Sequence, residues 1–220
     1  MSPVYAFLFY TALILGVIPL LLVIFNYSKF KKKRNPILPY LVVVFVASFY
    51  EYFATHLLEI NTTNWLVIYK VLAISSLQYF FYHILQKKKK LLFIAFSIIF
   101  IGTFIYHLPY LNNTTVLDIS AYLNAITTSL VITFSVLWFI QFETKTVEYN
   151  TKRDPNFYFI VGLILMYGGT LFLFLYAKNL YLTNKELFVT AWMLNLFLNI
   201  VNRTLLIIGV WKLIKLNKNN

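Results

Sequence analysis

The most informative stretch of this chain reads Thr190-Ala-Trp192-Met-Leu-Asn195-Leu-Phe-Leu-Asn199-Ile-Val-Asn202-Arg203-Thr204. Trp192, Asn195, Asn199 and Asn202 (the Asn stripe) fall on one face of a helix that has about 3.6 residues per turn. Arg203 lies beside this stripe, one turn after Asn199. Amide and guanidinium groups are costly in hydrocarbon, so this face should point at protein or water. The stretch therefore predicts a bundle of helices that closes around a polar face.

The composition indicates a membrane protein with a single domain over residues 1–220. Of the 220 residues, 60% are hydrophobic and only 12% are charged, about half the charged fraction of a soluble domain. Cysteine is absent, which excludes disulfides, thiolate nucleophiles and Cys-metal sites. The N-terminus has no positive region before its apolar run, so we expect a retained first helix.

Seven segments are long and apolar enough, or nearly so, to span a membrane, which takes about 20 residues. They are Val4–Tyr27, Ile37–Leu58, Trp65–Leu85, Leu91–His107, Ile119–Phe142, Phe157–Ala177 and Leu187–Leu213. The predicted fold class is all-α, a bundle of seven transmembrane helices.

The Lys and Arg residues alternate between the loops of this bundle. Fifteen lie in residues 29–34, 87–90, 145–153 and 212–218, whereas the opposite loops hold only Lys178 and Lys185. Basic loops stay in the cytoplasm, so the N-terminus is predicted outside and the C-terminus inside. The basic runs act as topology signals that contact anionic lipid, and they do not indicate nucleic-acid binding.

Charged residues within the segments suggest an ion pair. Glu51 in the second segment and Lys70 in the third are at similar depths, several Å to the outer side of the midplane. A short loop joins these two segments, so they should be antiparallel neighbours. A Glu51–Lys70 ion pair is predicted because each charge alone would be expensive in lipid, and its role is either a structural clamp or a ligand or proton site.

Arg203 has no acidic residue at its own depth, which is close to that of Gln78. Three explanations stay open: Lys70 is neutral, Arg203 reaches toward the inner interface, or an anionic group from lipid, ligand or partner enters the bundle. The residues predicted to bind a ligand or partner are Arg203, Asn195, Asn199, Asn202, Trp192 and Gln78. The Asn stripe could also serve only as contact between helices.

Known catalytic patterns are missing. The last segment has no Lys before Lys212 for a retinal Schiff base, and no segment contains His-Glu-x-x-His, Gly-x-Ser-x-Gly or a carboxylate pair. His56 and His107 lie at outer helix ends, but no carboxylate accompanies them at ligand spacing. We therefore expect no enzymatic activity, no metal site and no cofactor.

Three short motifs resemble those of small seven-helix inner-membrane proteins of Gram-negative bacteria. They are Asn64-Trp65-Leu66 with Tyr69, Gln78-Tyr79-Phe80-Phe81-Tyr82, and Asp154-Pro155 before the sixth segment. The resemblance implies a bacterial inner-membrane location and carries no activity with it.

The function expected from these patterns is non-enzymatic binding of a ligand or partner through a polar site within the membrane, as in a sensor or an accessory subunit. The alternatives are a transporter or channel for a small solute or ion, and a structural assembly subunit. The expected partners are membrane lipid and a protein partner or a second copy of the chain, together with an anionic ligand in the bundle.

Overall fold

Helices form all the regular structure of the residues that the structure describes. This computed structural model describes residues 3–27, 35–58, 63–86, 89–110, 116–143 and 154–219. Seven long helical segments and no β-strand occur within these ranges. Their bounds are α1 Pro3–Phe25, α2 Leu38–Tyr50, α3 Thr63–Ile84, α4 Lys90–His107, α5 Val116–Glu143, α6 Pro155–Thr183 and α7 Lys185–Asn219.

Six of these helices, all except α2, are long and apolar enough to cross a membrane. The apolar part of α2 is shorter and covers Leu38–Ala54. The predicted class of helical membrane protein is therefore confirmed. The basic runs at 29–34, 87–88 and 145–153, which carry most of the predicted orientation, lie outside the described residues, so the orientation stays a prediction.

Helix α2 differs from the expected continuous α-helix over 37–58. Pro39 lies in its first turn, where a missing N–H is tolerated. The α-helix ends at Tyr50, and the chain continues as a π-helical segment over Glu51–Leu57. Such segments are rare and are concentrated at functional positions. Glu51 is thus the first residue of the only π-helical segment among the described helices.

Helix α6 begins where the Asp154-Pro155 pair predicts it. The Asp154 carboxylate accepts a hydrogen bond from the backbone N–H of Asn156 at 2.8 Å, and Pro155 is the first helical residue. The carboxylate caps an otherwise unsatisfied N–H, and proline is favoured at this position because it has no N–H to satisfy.

The helices pack as a closed ring of six with one helix outside. Around the ring the order is α1, α2, α3, α5, α6 and α7, and α7 returns to contact α1. Helix α4 packs mainly on α5, where Phe93 stacks on Phe134 with ring centroids 4.0 Å apart. Large buried side chains fill the interior: Tyr40, Tyr167, Phe80, Phe81, Phe134 and Phe159. Because α4 lies outside the ring, a polar site inside the bundle is enclosed by the six ring helices.

A glycine of α7 is in tight contact with α6. Gly209 of α7 lies against Phe159 of α6, where a Cβ atom would be 2.7 Å from Cδ1 and 2.9 Å from Cζ of the ring. The Phe159 side chain is fully buried. This position thus requires the absence of a side chain.

Candidate functional site

Arg203 lies where α7 meets α1 and α2. Its side chain is 7% exposed, and Nη1 donates a hydrogen bond to the carbonyl oxygen of Ala12 in α1. Gly16, one turn further along α1, leaves room for this contact: a Cβ atom there would be 3.0 Å from Nη1 and would collide with Oγ of Ser48 in α2. The guanidinium is therefore enclosed between three helices.

Glu51 is the acidic residue whose charge acts on Arg203 among the described residues. The two opposite charges attract each other, although the only ion pair within 4.0 Å among the described residues joins Lys178 to Asp118. As the depth argument predicts, Arg203 has no carboxylate within 4.0 Å among the described residues. Glu51 acts on it from a longer distance.

Asn202 extends this polar region toward α6 and α2. Its Nδ2 donates to the sulfur of Met166 at 3.1 Å, and the Tyr40 hydroxyl donates to the same sulfur at 4.0 Å. Its Oδ1 is buried without a hydrogen-bond partner and faces Gly162, where a Cβ atom would lie 2.8 Å away. We call this region the Arg203 cluster, and its members are Arg203, Asn202, Glu51, Ser48, Tyr40, Tyr69, Tyr167 and Met166.

The other residues of the Asn stripe do not join the Arg203 cluster. Asn199 donates from Nδ2 to the backbone oxygen of Asn195 at 2.9 Å and to its Oδ1 at 3.2 Å. The two half-buried amides therefore satisfy each other along α7. Trp192 stacks on Phe188 with ring centroids 5.3 Å apart and meets Phe174 of α6 edge-on at 5.7 Å.

The predicted ion pair between Glu51 and Lys70 is not found. The Lys70 side chain is 6% exposed, and its Nζ donates to Oδ1 of Asn124 in α5 at 2.8 Å. The ammonium also lies 4.3 Å from the ring centroid of Phe174. Helices α2 and α3 are neighbours as predicted, but Lys70 points from α3 toward α5 and α6. This cation has no carboxylate within 4.0 Å in the described part of the chain.

Two polar atoms near Lys70 have no hydrogen-bond partner. Nδ2 of Asn124 and Oγ of Ser120 are both buried and unpaired, and the two residues are one turn apart on the same face of α5. We call this group the Lys70 cluster. Its members are Lys70, Asn124, Ser120, Phe174 and Trp192.

Gln78 lies apart from both clusters, contrary to its predicted place beside Arg203. Its Oε1 accepts a hydrogen bond from Ser97 of α4 at 3.1 Å. Similar depth did not bring the two residues together because Gln78 lies on the face of α3 that meets α4, opposite the face of Tyr69, which belongs to the Arg203 cluster. Gln78 attaches the outer helix to the ring.

Asn124 and Ser120 are the site residues that sequence reasoning missed. Their signal was present, since both fall on one face of an apolar segment together with Thr127 and Thr128, and all four are buried. Tyr40, Tyr69 and Tyr167 gave no such signal, because tyrosine is common both in cores and at membrane interfaces.

Comparison with known proteins adds no function to this geometry. No family model matches the sequence, and neither a curated protein nor a solved structure is similar to it. In the described part of the chain, no three His, Asp or Glu side chains are grouped so that they could hold a metal ion. The chemistry that the two clusters offer is hydrogen bonding and charge, with two cations and one carboxylate.

Proposed function

We propose that this chain is a non-enzymatic protein of the bacterial inner membrane that binds an acidic ligand, or an acidic group of a partner, inside its ring of helices. The supporting observation is the charge of that interior. Away from the helix ends, the described spanning segments contain two cations, Lys70 and Arg203, and one carboxylate, Glu51.

An interior of this kind favours a negatively charged guest. A charge at membrane depth is costly unless it is paired, and one carboxylate can balance only one of the two cations. An incoming anion would balance the second. It would also use hydrogen-bond donors that are buried without acceptors. We propose binding rather than catalysis because the described residues of the two clusters include no pair of carboxylates and no nucleophile beside a base.

A panel of anions tests this function on the purified full-length protein in nonionic detergent. We expect at least one class among monocarboxylates, dicarboxylates and phosphate esters to raise the Tm by roughly 2–5 °C at saturation, because a ligand that binds only the folded state stabilises it. Sodium chloride at matched ionic strength is the control. A Tm that responds to no anion beyond the chloride control would contradict the proposal.

The proposed orientation, with the N-terminus outside and the C-terminus in the cytoplasm, has its own test. It is supported by the fifteen Lys and Arg residues on one side against two on the other. A reporter fused after Asn220 is expected to be active in the cytoplasm, and one inserted between Asn112 and Asn113 to be active outside. The opposite pattern of activity would refute this orientation.

Transport of a small anion is the second candidate. It is favoured by the two polar clusters, which lie at different depths of the same ring. Thr128 and Tyr167 connect these clusters, since the Thr128 hydroxyl donates a hydrogen bond to the carbonyl oxygen of Tyr167 at 3.2 Å. Uptake of the stabilising anion by proteoliposomes would distinguish a transporter from a protein that only binds.

A further inference from the structure

Neither cation of the ring interior has a carboxylate within 4.0 Å in the described residues, and Lys70 lacks even the longer-range attraction that Glu51 exerts on Arg203. Arg203 has Glu51 and the carbonyl oxygen of Ala12. Lys70 has an amide oxygen and the face of an aromatic ring. An ammonium group has three N–H donors, and the Asn124 oxygen uses one of them. The cation therefore retains capacity for an anion.

The chemistry of the neighbouring groups points the same way. An ammonium can only donate, so the Asn124 oxygen must face Lys70 and its Nδ2 must point elsewhere. That NH₂ group is buried without an acceptor, as is the Ser120 hydroxyl one turn away. Asn124 is 1% exposed and Ser120 is 3% exposed. Buried donors without acceptors are costly, and these two donors, together with the remaining N–H groups of Lys70, suit an anionic group.

We propose that the Lys70 cluster binds the carboxylate of a small aromatic or apolar acid. This inference rests on the proposed function and assigns it to one site. A carboxylate fits better than a phosphate because a single ammonium balances a single negative charge. The two oxygens of a carboxylate can also accept hydrogen bonds from the Lys70 ammonium on one side and from Asn124 and Ser120 on the other.

The apolar part of the ligand is indicated by the rings next to the cation. Phe174 lies under the ammonium and meets Trp192 edge-on, and Trp192 stacks on Phe188. A planar apolar body can pack against such rings while its carboxylate contacts Lys70. Trp192, the first residue of the Asn stripe, then contributes to the site through packing, whereas Asn202 and Arg203 belong to the Arg203 cluster.

Benzoate is the probe, and neutral benzamide of the same shape is its control. We expect benzoate to raise the Tm of the wild-type protein by roughly 2–5 °C and benzamide to leave it unchanged. Lys70→Met keeps a long apolar side chain and removes the charge. This variant should fold, because removing the cost of a buried charge offsets the lost hydrogen bond to Asn124, and its Tm should no longer respond to benzoate. Asn124→Leu should weaken the response.

Lys185→Met is the matched control, since Lys185 also lies near an aromatic ring, 5.9 Å from the centroid of Tyr181, but is exposed. It should retain the full response. A benzoate response that persists in Lys70→Met would overturn this site. If another anion stabilises the protein and Lys70→Met still responds to it, the site assignment fails while the proposed function stands. If no anion acts on the wild type, both fail.

Discussion

Arg203→Met is expected to lower the free energy of unfolding by about 1–3 kcal/mol, because it removes the guanidinium that attracts the half-buried Glu51 carboxylate. The loss also includes the hydrogen bond to the carbonyl of Ala12, which connects α7 to α1. Unfolding by SDS in mixed micelles would measure the change.

A double-mutant cycle separates the charge effect from the loss of packing. Adding Glu51→Gln to Arg203→Met should recover about 1 kcal/mol or more of the lost stability, because the effects of substituting two interacting residues do not add. Lys215→Met is the control, because Lys215 is exposed and its ammonium lies over the Trp211 ring at 4.2 Å. It should change stability by less than about 0.5 kcal/mol. Additivity of the Glu51 and Arg203 changes would show that the two charges do not stabilise each other.

Gly209→Ala is expected to lower the free energy of unfolding by about 1–3 kcal/mol, the usual cost of overpacking a core. The new methyl group would collide with the buried ring of Phe159, and α6 and α7 would have to separate. The Tm should fall by roughly 2–4 °C for each kcal/mol.

The same substitution at Gly102 provides the control. Gly102 lies in α4, and an added Cβ would meet no atom within 4 Å. Alanine is a better helix former than glycine by about 1 kcal/mol, so Gly102→Ala should leave stability unchanged or raise it. Phe159→Leu should partly rescue Gly209→Ala by shortening the opposing side chain. Equal stability of the two alanine variants would contradict the close packing at Gly209.

The helices could be predicted from the sequence because the tendency to enter a membrane depends on the composition of each segment alone. The same reasoning could not place α4 outside the ring. Helices α4 and α5 are equally apolar, yet 11% of the most apolar part of α4 is buried against 50% for α5. An apolar helix can face either lipid or protein, so its position depends on its neighbours.

The pairing of charges failed for a related reason. Depth and adjacency placed Lys70 near Glu51, but which way a side chain points also depends on the rotation of its helix. Lys70 points to Asn124, 54 residues away, and Arg203 contacts Ala12, 191 residues away. The charge imbalance itself could be inferred from the sequence. Neither cation has a carboxylate within 4.0 Å among the described residues, and the depth argument did not anticipate that Lys70 would be even further from Glu51 in effect than Arg203 is.

The contact between α7 and α1 has a consequence for biosynthesis. A ribosome adds about 5–20 residues per second, so α1 waits roughly 10–40 s before Arg203 can reach the carbonyl of Ala12. During that interval the face of α1 that later meets α7 is open to lipid or to an insertion factor, and α6 lacks the helix with which it has its most extensive contact. Nascent chains stalled before α7 should therefore crosslink to the insertion machinery through α1, and release of α7 should end that contact.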